Sequence, residues 1–170
     1  MDYYKVKKMK VKDLIELLKK ESDCEVRPPS GYPTLFNDNH HLPEDLNEFY
    51  TLCGGLGLFL KSDYPIYIVS PQEFVLANPI IIEELCPEDI SSEWYIIADD
   101  KNGQYITIDL SPERFGRCYD SFWDRHGLVG DCPIIARTFS ELLYNIINSR
   151  GEHWYWLQDD FQPFGDAYDE

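Results

Sequence analysis

Apolar residues recur with helical spacing in three parts of the chain. Val11, Leu14, Ile15 and Leu18 follow an i, i+3, i+4, i+7 pattern with lysines on the opposite side, which draws one apolar stripe along a helix. Leu46, Phe49, Tyr50 and Cys53 repeat that spacing, with Pro43 at a first helical position and Gly54 where a left-handed C-terminal cap is wanted. Thr138 and Glu141 have capping-box spacing, and Phe139, Leu142, Leu143, Ile146 and Ile147 form a third stripe that Gly151 ends. Leu46, Phe49, Leu142, Leu143 and Ile146 are therefore expected in the core.

Between the second and third helices the pattern changes to that of strands. Residues 56–60 and 66–69 are apolar or β-branched, separated by a segment with Ser62, Asp63 and Pro65. Residues 71–77 read as a short helix, started by Pro71 and stopped by Asn78-Pro79. Segments 94–98 and 105–110 flank Asp99-Asp100-Lys101-Asn102-Gly103. Asn-Gly between two such runs signals a hairpin, because both residues tolerate positive φ. Shorter strands are expected at 117–119 and 133–136. The order predicts an α+β fold, with N-terminal and C-terminal helices packed on a mostly antiparallel or mixed sheet centred on 94–110. A chain of 170 residues suits one domain. Residues 1–20 would be a basic N-terminal helix and 151–170 an acidic, aromatic tail.

Charge narrows the function. The chain carries 31 acids against 15 bases, a net −16. Seven of the bases fall within the first 20 residues, which sum to +4 and leave −20 for the remainder. Such a field repels nucleic acid and anionic membrane and favours a basic protein partner, although solubility alone also accounts for many acidic proteins. The five cysteines are widely spaced with no CxxC pair, which argues against a disulfide framework or zinc site. With no secretory leader pattern and no apolar run of membrane-spanning length, the expected location is the cytoplasm.

The order of these elements resembles a known family. Leu42-Pro43-Glu44-Asp45-Leu46, Phe49 and Gly54-Gly55 resemble the helix-plus-glycine entry of the SUKH superfamily, which includes fungal cell-wall-assembly regulators and the Syd protein. The strand Trp94-Tyr95-Ile96-Ile97-Ala98-Asp99, its continuation through Asn102-Gly103 to Ile108-Asp109-Leu110, the helix from Phe139 to Ile147 and the closing Gly165-Asp166-Ala167-Tyr168-Asp169 are similar to bacterial members. The resemblance covers residues 42–169. It implies a mixed sheet with helices on it and no shared catalytic residues. Bacterial members are mostly immunity proteins that neutralise a toxin, often a nuclease, whereas eukaryotic members act as signalling scaffolds. Fold alone does not choose between them.

No catalytic, cofactor or metal constellation stands out. Gly54-Gly55-Leu56-Gly57 lacks the Gly-Lys-Ser/Thr of a phosphate loop and follows a helix C-terminus, whose dipole has the wrong sign for phosphate. His126, with Asp120, Asp124 and Cys118 nearby, is the one candidate for a metal or nucleophile site, but surface or capping roles are commoner for such residues. Trp154-Tyr155-Trp156, followed by Asp159 and Asp160, is the most unusual stretch. As a strand it would put both tryptophans on one face. Core packing is the commoner role for such aromatics, and a hot spot of aromatics beside carboxylates is the functional alternative. The expected function is thus non-catalytic binding of a basic protein, as an immunity protein or antitoxin, with a regulatory scaffold as the alternative. Asp99, Asp100, Asp159 and Asp160 are the candidate partner-binding carboxylates, and Trp154 and Trp156 the candidate apolar anchors.

Overall fold

A computed structural model describes residues 9–170. Lys5, Lys7 and Lys8 of the expected N-terminal helix lie outside the described residues, and helix α1 spans Val11–Leu18. Its stripe is buried as the periodicity predicts: Val11, Leu14, Ile15 and Leu18 are at most 2% exposed. Strand β1 (Glu25–Val26), helix α2 (Glu44–Leu52), strands β2 (Leu56–Leu58) and β3 (Ile66–Ile68) and the short helix α3 (Ala77–Ile81) follow. Next come a 3-10 turn at Ile90–Glu93 and strands β4 (Trp94–Asp99), β5 (Tyr105–Asp109), β6 (Cys118–Ser121) and β7 (Ile134–Ala136). Helix α4 (Phe139–Ser149) and a 3-10 turn at Tyr155–Leu157 complete the order.

The seven strands pair strictly in chain order, each antiparallel to the next. The expected α+β architecture with an antiparallel sheet is what forms, with β4 and β5 near its middle. Side chains alternate across the pleat, so adjacent Trp94 and Tyr95 face opposite sides. Tyr95 heads a chain of ring contacts through Phe74, Tyr50 and Phe49 to Phe139, which binds β4 to α2 and α4. Trp94 meets Tyr119, His126 and Tyr168, so the other face is closed by the loop after β6 and by the tail. Leu46, Phe49, Leu142, Leu143 and Ile146 are all buried in one continuous hydrophobic cluster.

Local geometry departs from the sequence reading in four places. β2 ends at Leu58 because Phe59 turns left-handed (φ 54). The helix expected at 71–77 begins only at Ala77, and Asn78-Pro79 lies inside it; proline fits a first turn, where its missing N–H has no intrahelical partner anyway. Gly54 is not a left-handed cap. The positive φ falls on Gly55 (φ 121), and a Cβ on Gly54 would collide with the Pro28 carbonyl oxygen. The tail forms no strand at residues 154–156, but its end lies along the free side of β7. Ile134 N donates to Gly165 O at 2.9 Å, Phe164 N to Ile134 O at 3.1 Å and Ala167 N to Cys132 O at 2.8 Å.

Candidate partner-binding surface

In a meander the β2–β3, β4–β5 and β6–β7 connections emerge at one end of the sheet, which brings distant sequence together there. The β4–β5 turn is shaped by its own acids. Asp100 Oδ1 accepts from Asn102 N at 2.8 Å and Gln104 N at 3.1 Å, an arrangement in which the carboxylate stands in for a turn's carbonyl. Lys101 and Gly103 take the positive φ (63 and 84), not Asn102.

Asp99 is not the free rim carboxylate that the sequence implied. Its side chain is only 12% exposed, Lys101 N donates to it at 3.2 Å, and Lys101 Nζ stands 3.7 Å away while reaching Glu73 at 3.1 Å. Burial pushes the Asp99 pKa up, against the pull of Lys101. Glu73 moves the other way: burial raises it, but hydrogen bonds from Lys101 and Ser70 outweigh that and hold it low.

The tryptophans divide. Trp154 and Trp156 stack on each other at 5.7 Å between ring centroids, at the start of a 3-10 turn and not on one face of a strand. Trp156 is buried, with Nε1 donating to Asp120 Oδ2 at 3.0 Å, and packs as part of the core. Trp154 is half-buried, edge-on to Tyr64 at 5.2 Å. Asp159 and Asp160 are exposed just beyond, and Asp160 opens onto a groove beside α4 with Met9, Arg137 and Phe164. Asp99 and Asp100 build the hairpin turn, whereas Asp160 lines the groove beside α4 with Asp159 exposed next to it in the chain.

The residue that sequence reasoning passed over is Trp123, the one strongly exposed tryptophan, at 72%. It follows β6, and its N–H donates to Gln104 Oε1 of the β4–β5 turn at 2.9 Å. A lone tryptophan in a polar segment carries no periodicity, so only the fold exposes it.

His126 packs in the interior. It is buried with Nε2 2.6 Å from Asn78 Oδ1, edge-on to Trp94. Burial lowers its pKa to about 4, so it is neutral near pH 7. Asp120 turns instead to Trp156, Phe122 N and Arg125, with burial pushing its pKa up. Asp109, fully buried, accepts from Trp94 Nε1 at 3.0 Å, Tyr119 OH at 2.7 Å, Arg114 Nε at 3.2 Å and Ser111 N at 2.9 Å. These buried acids are saturated structural joints. Among the described residues no group of three or more His, Cys, Asp or Glu is placed to hold a metal ion, and no helix is long and apolar enough to cross a membrane.

Residues 39–145 match the profile of the SMI1 / KNR4 family (SUKH-1). The chain is also 52% identical over 161 residues to "Immunity protein YokJ" of Bacillus subtilis (strain 168), covering 95% of this chain and 97% of that protein. No solved structure matches.

Proposed function

The chain belongs to the SMI1/KNR4 (SUKH-1) family, and on that footing we propose that it is an immunity protein: a single, non-catalytic, cytoplasmic domain that binds a toxin protein and holds it inactive. The observation that carries this reading is the 52% identity, over nearly the whole of both chains, to a protein named as an immunity protein. The scaffold alternative has family membership behind it and nothing more specific. The net charge of −16 supports a basic partner surface, such as the substrate groove of a nuclease, that the domain covers by charge complementarity. The fate of the chain's reactive groups supports a binding role over catalysis. His126 is buried and neutral, Asp109 and Asp120 are saturated by donors, and Cys118 and Cys132 are buried with pKa values pushed up by desolvation, the condition of inert thiols.

The test is co-expression with the protein encoded beside this chain's own gene. Relief of growth arrest, with a stoichiometric complex on gel filtration, is the expected result. Arrest that persists at full expression of the chain, with no complex, would refute the reading.

A further inference from the structure

We propose that the β6–β7 loop, residues 122–133, is the anchor of the partner interface, with Trp123 entering an apolar pocket on a toxin protein whose rim is cationic. This rests on the immunity reading and names the surface that would perform it. Trp123, Leu128 and Val129 are 72%, 48% and 75% exposed on this one loop. Val129 and Trp123 are the two most exposed large apolar side chains of the described residues, and apolar surface gathered in one place marks interaction sites. Tryptophan is also the side chain most enriched among residues that dominate binding energy.

The loop is held before any partner arrives. Phe122 N and Arg125 both engage the buried carboxylate of Asp120, at 3.0 and 3.1 Å, and Trp123 N is tied to Gln104. At the far end Asp166 accepts from Gly130 N at 3.1 Å and Cys132 N at 2.8 Å. Internal turns join Arg125 and His126 to Phe122 O, and Leu128 to Arg125 O. A loop fixed in this way gives up little conformational freedom on binding, so more of the contact energy appears as affinity.

Charge selects the partner. Asp124 and Asp131 are exposed on the same loop, Asp63 is exposed on the β2–β3 turn, and Asp100 is half-exposed on the β4–β5 turn. The cations of these three connections are Lys61, Lys101 and Arg125, and the last two are already ion-paired within the protein. An exposed tryptophan with carboxylates around it fits an apolar pocket edged by Lys and Arg. It does not fit nucleic acid or an anionic membrane, whose phosphates these acids would repel.

The experiment measures binding of the full chain to the co-encoded toxin protein in four forms: wild type, Trp123→Ala, Asp124→Lys/Asp131→Lys, and Phe36→Ala. The last removes a side chain 70% exposed on a different segment and serves as the control. Thermal melts confirm that each variant folds. Trp123→Ala should raise Kd by about 30-fold or more, chiefly through faster dissociation. The charge reversal should slow association and flatten its dependence on salt, and Phe36→Ala should change neither. Wild-type affinity in folded Trp123→Ala would overturn the anchor while leaving the immunity reading intact, as would a loss confined to Phe36→Ala. A wild type that dimerises through Trp123 reassigns the surface to a second copy and also overturns it. Failure of the wild type to bind removes the immunity reading and this inference together.

Discussion

Asp45 closes the start of a helix 95 residues away: its Oδ2 accepts from Ser140 N at 2.8 Å and from Ser140 Oγ at 2.9 Å. Thr138 Oγ1 accepts from Glu141 N at 3.1 Å in the same turn of α4. Two of the helix's orphan donors are thus satisfied, one locally and one by α2. The carboxylate at a helix N-terminus is further favoured by the dipole. Asp45→Ala should cost about 1–2 kcal/mol. A double-mutant cycle with Ser140→Ala should return a coupling of at least about 0.5 kcal/mol. Additive losses in denaturant melts would mean that the contact contributes nothing.

Leu143 lies in α4 at 0% exposure, facing the sheet. Leu143→Ala should destabilise the protein by about 2–5 kcal/mol, the lost transfer energy plus the cavity left behind. A loss under about 1 kcal/mol by chemical denaturation would place that stripe outside the core.

Asp109 carries three side-chain donors, from Trp94, Tyr119 and Arg114. Asp109→Ala leaves them buried or half-buried without their acceptor and should cost about 3–5 kcal/mol. Arg114→Ala, which leaves the other two donors in place, should cost clearly less. Equal losses in urea melts would contradict this ranking.

His126 makes stability depend on pH. Its folded pKa is near 4, against an ordinary value of 6.5. Between those values the unfolded chain binds a proton that the folded chain does not, so stability falls as pH drops through the window. Asn78, Trp94 and Tyr168 pack around this region, and Asp89, whose charge opposes the shift, remains in both proteins compared. From pH 7 to pH 4 the wild type should lose about 3 kcal/mol more than His126→Gln. Parallel stability–pH curves would show that His126 does not titrate in this way.

The three longer helices and the central hairpin are legible in the sequence because their signals are local, whereas the short helix at Ala77–Ile81 is not. The Val11 and Leu142 stripes, the Thr138 cap and the Asn-Gly turn each act within a few residues. What was not legible depends on groups that only the fold assembles. Asp99 reads as one of a solvated pair, yet Glu73 draws Lys101 across it. The sequence favours core packing for the Trp154–Trp156 pair but cannot say which ring is buried; Asp120 decides it by supplying a buried acceptor for the Trp156 indole. β1 is two residues long and is a strand only because Gly57 and Leu56 lie beside it. Trp123 shows no pattern at all, and its exposure follows from where β6 ends.

The tail's run along β7 has a further consequence, for how the protein behaves at high concentration. An unpaired strand offers a row of amide and carbonyl groups onto which another chain can add, the first step of sheet-to-sheet aggregation. Phe164, Gly165 and Ala167 occupy that row on β7, and the opposite border, β1, is only two residues long. Neither margin of the sheet therefore presents a long open template. The segment from Phe164 to Ala167 thus acts as a seal over β7, and a variant cut short before Phe164 would be open to strand addition first at its seventh strand.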